Sequence, residues 1–238
     1  MCVLKPVPYY FNKNNNIFHE SVVSVFTDAS KLENKNQYVM GGLFVYVNKT
    51  KRVRNEMVPL GSTGNDNMDK IELAAIYHMM KNVTSDFEII NSNTIKQINL
   101  YCDNLNAVNA LRYSLISVNK MLTRNYQERE VAYECPEELR NIALYIHKMV
   151  ASIRKPLYVF HIKAHQLRNG KININNFVES FAVENFGFQI SGNDAKILMY
   201  YNDYVDKQVS SINRKWNFGE VIDYQTEVEQ SYKLINNE

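Results

Sequence analysis

The sequence predicts an α/β fold: a mixed five-stranded sheet, an antiparallel meander followed by parallel strands, flanked by helices. Three observations carry this. Strand-length runs rich in apolar residues stand at Val22–Phe26, Gly41–Asn48, from Lys51, at Thr94–Asp103 and at Leu157–His165. Only Lys49 and Thr50 separate the second run from the third, which is hairpin spacing. The last two runs each follow segments with helical apolar spacing, the pattern of crossover connections to parallel strands.

The elements follow in order. Residues 1–19 read as an extension, with Pro6, Pro8 and the polar run Asn12–Asn16. Gly61–Asn67 reads as a loop. Asp69–Asn82 is predicted as a helix, with Ile71, Ala75 and Met79 on one stripe and Ala74 and Tyr77 beside it. A second helix runs from Asn104 through Val108, Leu111 and Leu115. Pro136 in the first turn, with Glu137 and Glu138 beside it, opens a third. Its core stripe is Leu139, Ile142, Ile146, Met149 and Ile153. After the fifth strand comes a polar loop, a short helix (Asn176–Gly187) stopped by Gly187, and a long helix from Asp194 to about Trp216. The acidic tail, 217–238, has loosely helical apolar spacing. With no internal repeat and no dividing linker, the 238 residues read as one domain, 20–216, bearing an insertion at about 168–193 and two extensions.

Composition narrows the function classes. Sixteen Tyr and eleven Phe supply ample core material. A formal charge of +2 is too small for a globally basic nucleic-acid binder, so any basic surface is local. The three cysteines, Cys2, Cys102 and Cys135, lack metal-ligand spacing and suit a reducing compartment. The N-terminus lacks the apolar core of a signal peptide, and no run approaches the ~18 apolar residues of a membrane span. The expectation is an intracellular protein, cytoplasmic or nucleoid/nuclear, with no membrane partner.

Three acids occupy comparable positions. Asp28 ends the first strand, Asp103 ends the fourth, and Glu72 lies in the first turn of the helix between them. If the first and fourth strands are parallel neighbours, Asp28 and Asp103 sit together at their carboxyl ends, where open α/β sheets carry their sites. Asp206 stands beside the Val205 and Val209 core stripe of the last helix. Gathered carboxylates repel one another and tolerate full ionisation when cations fill the cluster. Hard divalent ions take oxygen ligands, and two of them about 4 Å apart support phosphodiester hydrolysis. Each acid also has a plain alternative. Asp28 could be turn chemistry, Asp69-x-x-Glu72 a capping box, Asp103 a helix cap, Asp206 an exposed helix charge and His165 a loop histidine.

Six short motifs, in order, resemble the type 1 ribonuclease H domain, including the versions attached to retroelement reverse transcriptases. They are Thr27-Asp-Ala-Ser30, the pair Gly41-Gly42, Ile71-Glu-Leu-Ala-Ala-Ile76, Tyr101-Cys-Asp-Asn104, Ile162-Lys-Ala-His165 and Asn202-Asp-Tyr-Val-Asp206. The resemblance runs from about Ser21 to about Trp216 and implies a ribonuclease H-like fold. It implies that Asp28, Glu72, Asp103 and Asp206 hold two Mg²⁺ ions, with Mn²⁺ as a substitute, and that His165 assists on a mobile loop. The implied reaction cuts the RNA strand of an RNA/DNA hybrid, leaving 5′-phosphate and 3′-hydroxyl ends.

The chain departs from the family pattern in three places. His165 and Asp206 are 41 residues apart (206 − 165), where the family usually has roughly ten. The loop glycine is replaced by Ala164, and Met68-Asp69 stands where an Asn pair often helps read the RNA 2′-hydroxyl. Asn65, Asn67 and Asn104 are the candidate substitutes.

Between Glu138 and Glu179 the sequence has no acid, but has Arg140, Lys148, Arg154, Lys155, Lys163, Arg168 and Lys171. This is a candidate local surface for phosphate contacts. The substrate-binding candidates are therefore Ser30, Asn104, Lys163, Arg168, Lys171 and Asn202. A protein partner is a further expectation, through the tail or the insertion. The rival readings are a catalytically silent nucleic-acid-binding or docking module, and a DNA- or structure-selective nuclease of the same fold. His19, His78, His147 and His161 read as structural.

Overall fold

The computed structural model describes residues 19–32, 35–48, 51–57, 60–64, 66–114, 135–163, 173–185 and 187–215. The strands are β1 (Val22–Leu32), β2 (Gln37–Asn48), β3 (Lys51–Glu56), β4 (Leu60–Thr63), β5 (Gln97–Cys102) and β6 (Leu157–His161). The helices are α1 (Met68–Ser85), α2 (Phe87–Asn91), α3 (Leu105–Tyr113), α4 (Glu137–Ser152), α5 (Ile174–Glu184) and α6 (Gly192–Lys215). Leu115, His165, Arg168, Lys171, Trp216 and both extensions, apart from His19, lie outside the described residues.

The sheet order is β3-β2-β1-β5-β6, with β4 also paired to β2. β1, β2 and β3 form the antiparallel meander, while β5 and β6 run parallel to β1. The mixed architecture follows the sequence expectation, with six strands in place of five. The added one, β4, falls partly in the segment read as a loop. It pairs with Gln37–Met40 of β2, whereas β3 pairs with Leu43–Asn48, so both lie along one edge of that long strand. A four-residue strand is too short to show periodicity.

Helices cover both faces, and strand alternation assigns the core to two layers. Val23, Val25, Ile98 and Leu100 point toward the α1, α3 and α4 side, in a core shared with Ile71, Ala75, Met79, Val108 and Ile146. Phe26, Tyr101 and Phe160 point to the α5 and α6 side. These three are register partners across β1, β5 and β6. Their rings stack at 5.1 and 5.2 Å between centroids, and Phe181 of α5 continues the row at 5.9 Å from Phe160. The insertion helix is therefore packed into the second core.

The helix boundaries come from local chemistry. Asn67 caps α1 by accepting the Lys70 N–H, so the cap lies two residues before Asp69 and the Asp69/Glu72 capping box does not form. Asn104 caps α3 and Asn173 caps α5. Pro136 stands just ahead of α4 as its N-terminal flank. Gly187, at φ +81°, closes α5 by donating its N–H to the Ala182 carbonyl. α2, capped by Asp86, has no forerunner in the sequence reading because five residues carry too little pattern.

Candidate active site

β1 does not stop at Asp28. It continues to Leu32 against β2, with Asp28 opposite Gly41. What ends is the parallel pairing with β5, whose last register pair is Phe26 with Tyr101. Carried two residues further, that register sets Asp28 level with Asp103, one residue beyond the end of β5. The strand-end expectation is thus corrected in form: the carboxylate sits where two strands part, inside a longer β1. Alternation directs its side chain to the α6 face, with Phe26.

The glycine opposite it positions the helix. A Cβ on Gly41 would lie 2.7 Å from Val209 Cγ1 of α6, well inside contact distance. Its absence lets α6 lie close over β2, which brings Asp206, one turn before Val209, toward Asp28. Gly42 serves the other face, where a Cβ would meet the Phe26 carbonyl at 2.7 Å and Met79 Sδ at 2.9 Å. The C-terminal end of α6 is locked by Asn213, whose amide donates to the Ser30 carbonyl at 2.7 Å and accepts from Gln37 at 2.9 Å.

Glu72 enters from α1 on the opposite layer and is 3% exposed. The Ala29 N–H donates to Asp28 Oδ1 at 2.8 Å and lies 3.3 Å from Glu72 Oε1, bringing these two oxygens together at one donor. Burial, then repulsion from Asp103 and Asp206, pushes the Asp28 carboxyl well above the usual carboxylate range. Burial, then repulsion from Asp28 and Asp103, does the same to Glu72. The closeness of the two carboxyls works against the rise at Asp28 and adds to the rise at Glu72. The other Glu72 oxygen, Oε2, is buried without a hydrogen-bond partner.

These features fit a divalent cation. Asp28 inside β1, Glu72 in α1, Asp103 just past β5 and Asp206 in α6 converge so that the neighbouring acids raise the proton affinity of Asp28 and Glu72, and one buried oxygen is left unsatisfied. Ligand atoms of Glu72, Asp103 and Cys102 lie within 4.8 Å of one another. The sequence reading gives Cys102 no ligand role, since the cysteines lack metal-ligand spacing, and nothing in the sequence signals its approach to Glu72. Burial, then Glu72 and Asp103, pushes its thiol up, so it stays protonated beside the acids. The oxygens suit a hard ion better than that thiol does.

The remaining candidates divide. Ser30 lies half-buried at the Asn213 contact, its hydroxyl 3.3 Å from the Asn213 amide. Asn104 is occupied at both ends of its side chain, accepting from Ala107 N–H at 2.9 Å and donating to Asp69 at 3.0 Å. Lys163 is exposed just past β6, and Asn202 is half-buried one turn before Asp206. His165, Arg168 and Lys171 fall outside the described residues. In the basic run, Lys155 is turned inward, its ammonium donating to the Ser92 and Ile95 carbonyls. His161, read as structural, faces the site: its Nε2 lies 3.1 Å from the Asp103 carbonyl. Pairing of β6 with β5 sets it opposite Cys102, a relation visible only once the register is known.

No family model matches the chain, and no curated protein matches it. Among solved structures, the chain is similar to ribonuclease H1 from the halophilic archaeon Halobacterium salinarum NRC-1, at 12% identity and a TM-score of 0.39. That alignment covers 67% of this chain and 93% of the other. The sheet order and its mixed sense match the antiparallel meander followed by parallel strands that the sequence predicts. Among the described residues, no helix is long and apolar enough to cross a membrane.

Proposed function

We propose that the protein is a metal-dependent endonuclease of ribonuclease H type that hydrolyses the RNA strand of RNA/DNA hybrids. The observation that carries this is the buried Asp28–Glu72 pair, facing Asp103 and Asp206, with Glu72 Oε2 unsatisfied. A structural role alone gives no reason to collect acids whose burial and mutual repulsion work against ionisation.

Asp28, Glu72, Asp103 and Asp206 are the residues that would hold two Mg²⁺ ions. When bound, such ions activate water and stabilise charge at the scissile phosphate, yielding 5′-phosphate and 3′-hydroxyl ends. The chain's own groups prepare the site. The Ala29 N–H orients Asp28 and Glu72 on one donor, and Gly41 lets α6 bring Asp206 inward. Asp28 and Glu72, whose carboxyls burial and neighbouring acids hold above the usual range, would both have to be ionised to serve as ligands. Ser30, Asn202, Lys163, Arg168 and Lys171 are the proposed substrate contacts, with His165 assisting proton transfer or product release. Asn104, committed to its cap and to Asp69, supports the corner after Asp103 and is a weaker contact candidate than the others.

The test of substrate class is cleavage of end-labelled RNA/DNA hybrid, duplex RNA, duplex DNA, branched DNA and single strands in Mg²⁺. Cutting confined to the RNA of the hybrid supports the proposal. Cutting of branched or duplex DNA instead would replace it with a structure-selective nuclease, and tight salt-sensitive binding without cutting would replace it with a binding module.

A further inference from the structure

β6 is the outer strand of the sheet, and its free edge needs partners for its backbone groups. Two side chains supply them. Arg112 of α3 donates from Nε and Nη2 to the Val159 carbonyl at 3.2 and 3.0 Å. Asn185, the C-cap of α5, accepts the His161 N–H and donates to the His161 carbonyl, both at 2.8 Å. Its amide therefore pairs with His161 as a neighbouring strand residue would. Arg112 Nη2 also donates to Asn185 Oδ1 at 2.6 Å, tying the two edge partners together.

The same end of α5 holds the His161 ring. Nδ1 lies 3.3 Å from Glu184 Oε2, and Nε2 lies 3.1 Å from the Asp103 carbonyl. A carbonyl only accepts, so Nε2 carries the hydrogen of that contact. Asp103 has just left β5, where strand pairing no longer fixes its peptide. The side chain is 9% exposed, which leaves the ring little room to turn.

We propose that His161, oriented by Glu184, is a positioning residue for Asp103, and that α5 belongs to the insertion because it supports this contact. The hydrogen bond fixes the peptide bearing the carboxylate, and Asn185 fixes the backbone bearing the ring. This rests on the reading of Asp103 as a metal ligand. Outer-shell partners of metal ligands typically govern about 10–100-fold in metal affinity.

The experiment measures Mn²⁺ affinity without nucleic acid, from the free-ion electron paramagnetic resonance signal, alongside thermal unfolding and hybrid cleavage. The proteins are wild type, His161→Leu, His161→Gln, His161→Asn and Glu184→Ala. His161→Leu should lose about tenfold or more in Mn²⁺ affinity. His161→Gln, whose amide nitrogen reaches the place of Nε2, should recover most of it, whereas His161→Asn reaches only the place of Nδ1 and should not. Glu184→Ala should show a smaller loss. Wild-type Mn²⁺ affinity in His161→Leu, or a Gln variant no better than Leu at equal stability, overturns the proposal. Should His161→Leu not fold, unchanged affinity in Glu184→Ala, whose side chain is 33% exposed, overturns it. Absence of Mn²⁺ binding in wild type overturns this proposal and the nuclease reading together. Mn²⁺ binding that depends on His161 without cleavage of any substrate overturns the nuclease reading alone.

Discussion

Replacing Asp28 with Asn should make the metal-free protein more stable at neutral pH. Asp28 is 6% exposed, and burial, Asp103 and Asp206 hold its carboxyl well above the usual range. A carboxyl raised in this way binds its proton more tightly in the folded state. Its contribution to stability is full below the ordinary Asp range, near pH 4, and is lost as pH rises through the raised folded value. At neutral pH the unfolded chain ionises Asp28 freely in water, while the folded chain must ionise it among acids or keep it protonated. Asp28→Asn removes that conflict. It retains an oxygen for the Ala29 N–H and offers an amide hydrogen toward Glu72. The relief is on the scale of a buried unsatisfied polar group, roughly 1–3 kcal/mol. For a domain of this size each kcal/mol moves the melting temperature by about 2–4 °C. Thermal unfolding in EDTA should therefore show the variant melting several degrees higher at neutral pH, with the gap closing near pH 4. Saturating Mg²⁺ should close or reverse it by stabilising the wild type. A variant that melts lower than wild type in EDTA at neutral pH would refute the argument that Asp28 is held against its own electrostatics for a cation.

Two further outcomes follow from the same geometry. Gly41→Ala should destabilise by about 1–3 kcal/mol, the usual range for overpacking, and weaken Mn²⁺ binding by displacing α6. Adding Val209→Ala should recover part of both losses, and a double-mutant cycle of melting temperature and Mn²⁺ affinity reads this. Metal entry should release protons from the Asp28–Glu72 pair, in increasing number as pH is lowered, because burial and neighbouring acids hold both carboxyls well above the usual range. Titration calorimetry in two buffers of different ionisation enthalpy measures that release, and identical heats in both would contradict it.

Long elements were legible in the sequence because their patterns persist. The α4 stripe named from spacing includes Leu139, Ile142 and Ile146, all buried in the structure. Parallel strands after the meander were legible from the helices that precede them, since a crossover returns a strand in the same sense; the pairing of β1 with β5 entered the sequence reading only as a condition, which the register meets. What was illegible depends on register and on side chains from distant segments. β1 runs past Asp28 because pairing to β2 outlasts pairing to β5, and no local signal marks that difference. Asn67 displaced Asp69 as the α1 cap because two capping residues stood within one turn and geometry chose between them. In the sequence His161 reads as structural; pairing sets it beside Cys102 and its ring at the Asp103 carbonyl. Asn185, 24 residues from His161, completes a sheet edge that sequence spacing does not reveal.

The central claim is that these carboxylates form a metal centre for phosphodiester hydrolysis. Its most direct measurement is cleavage of an end-labelled RNA/DNA hybrid by wild type, Asp28→Asn and Asp103→Asn, each with Mg²⁺, with Mn²⁺ and with EDTA. The account predicts RNA cleavage by wild type that EDTA abolishes and that falls by at least about 10²-fold in both variants, even though Asp28→Asn is folded and more stable without metal. Cleavage that persists in EDTA, or that both variants perform at the wild-type rate, would contradict it.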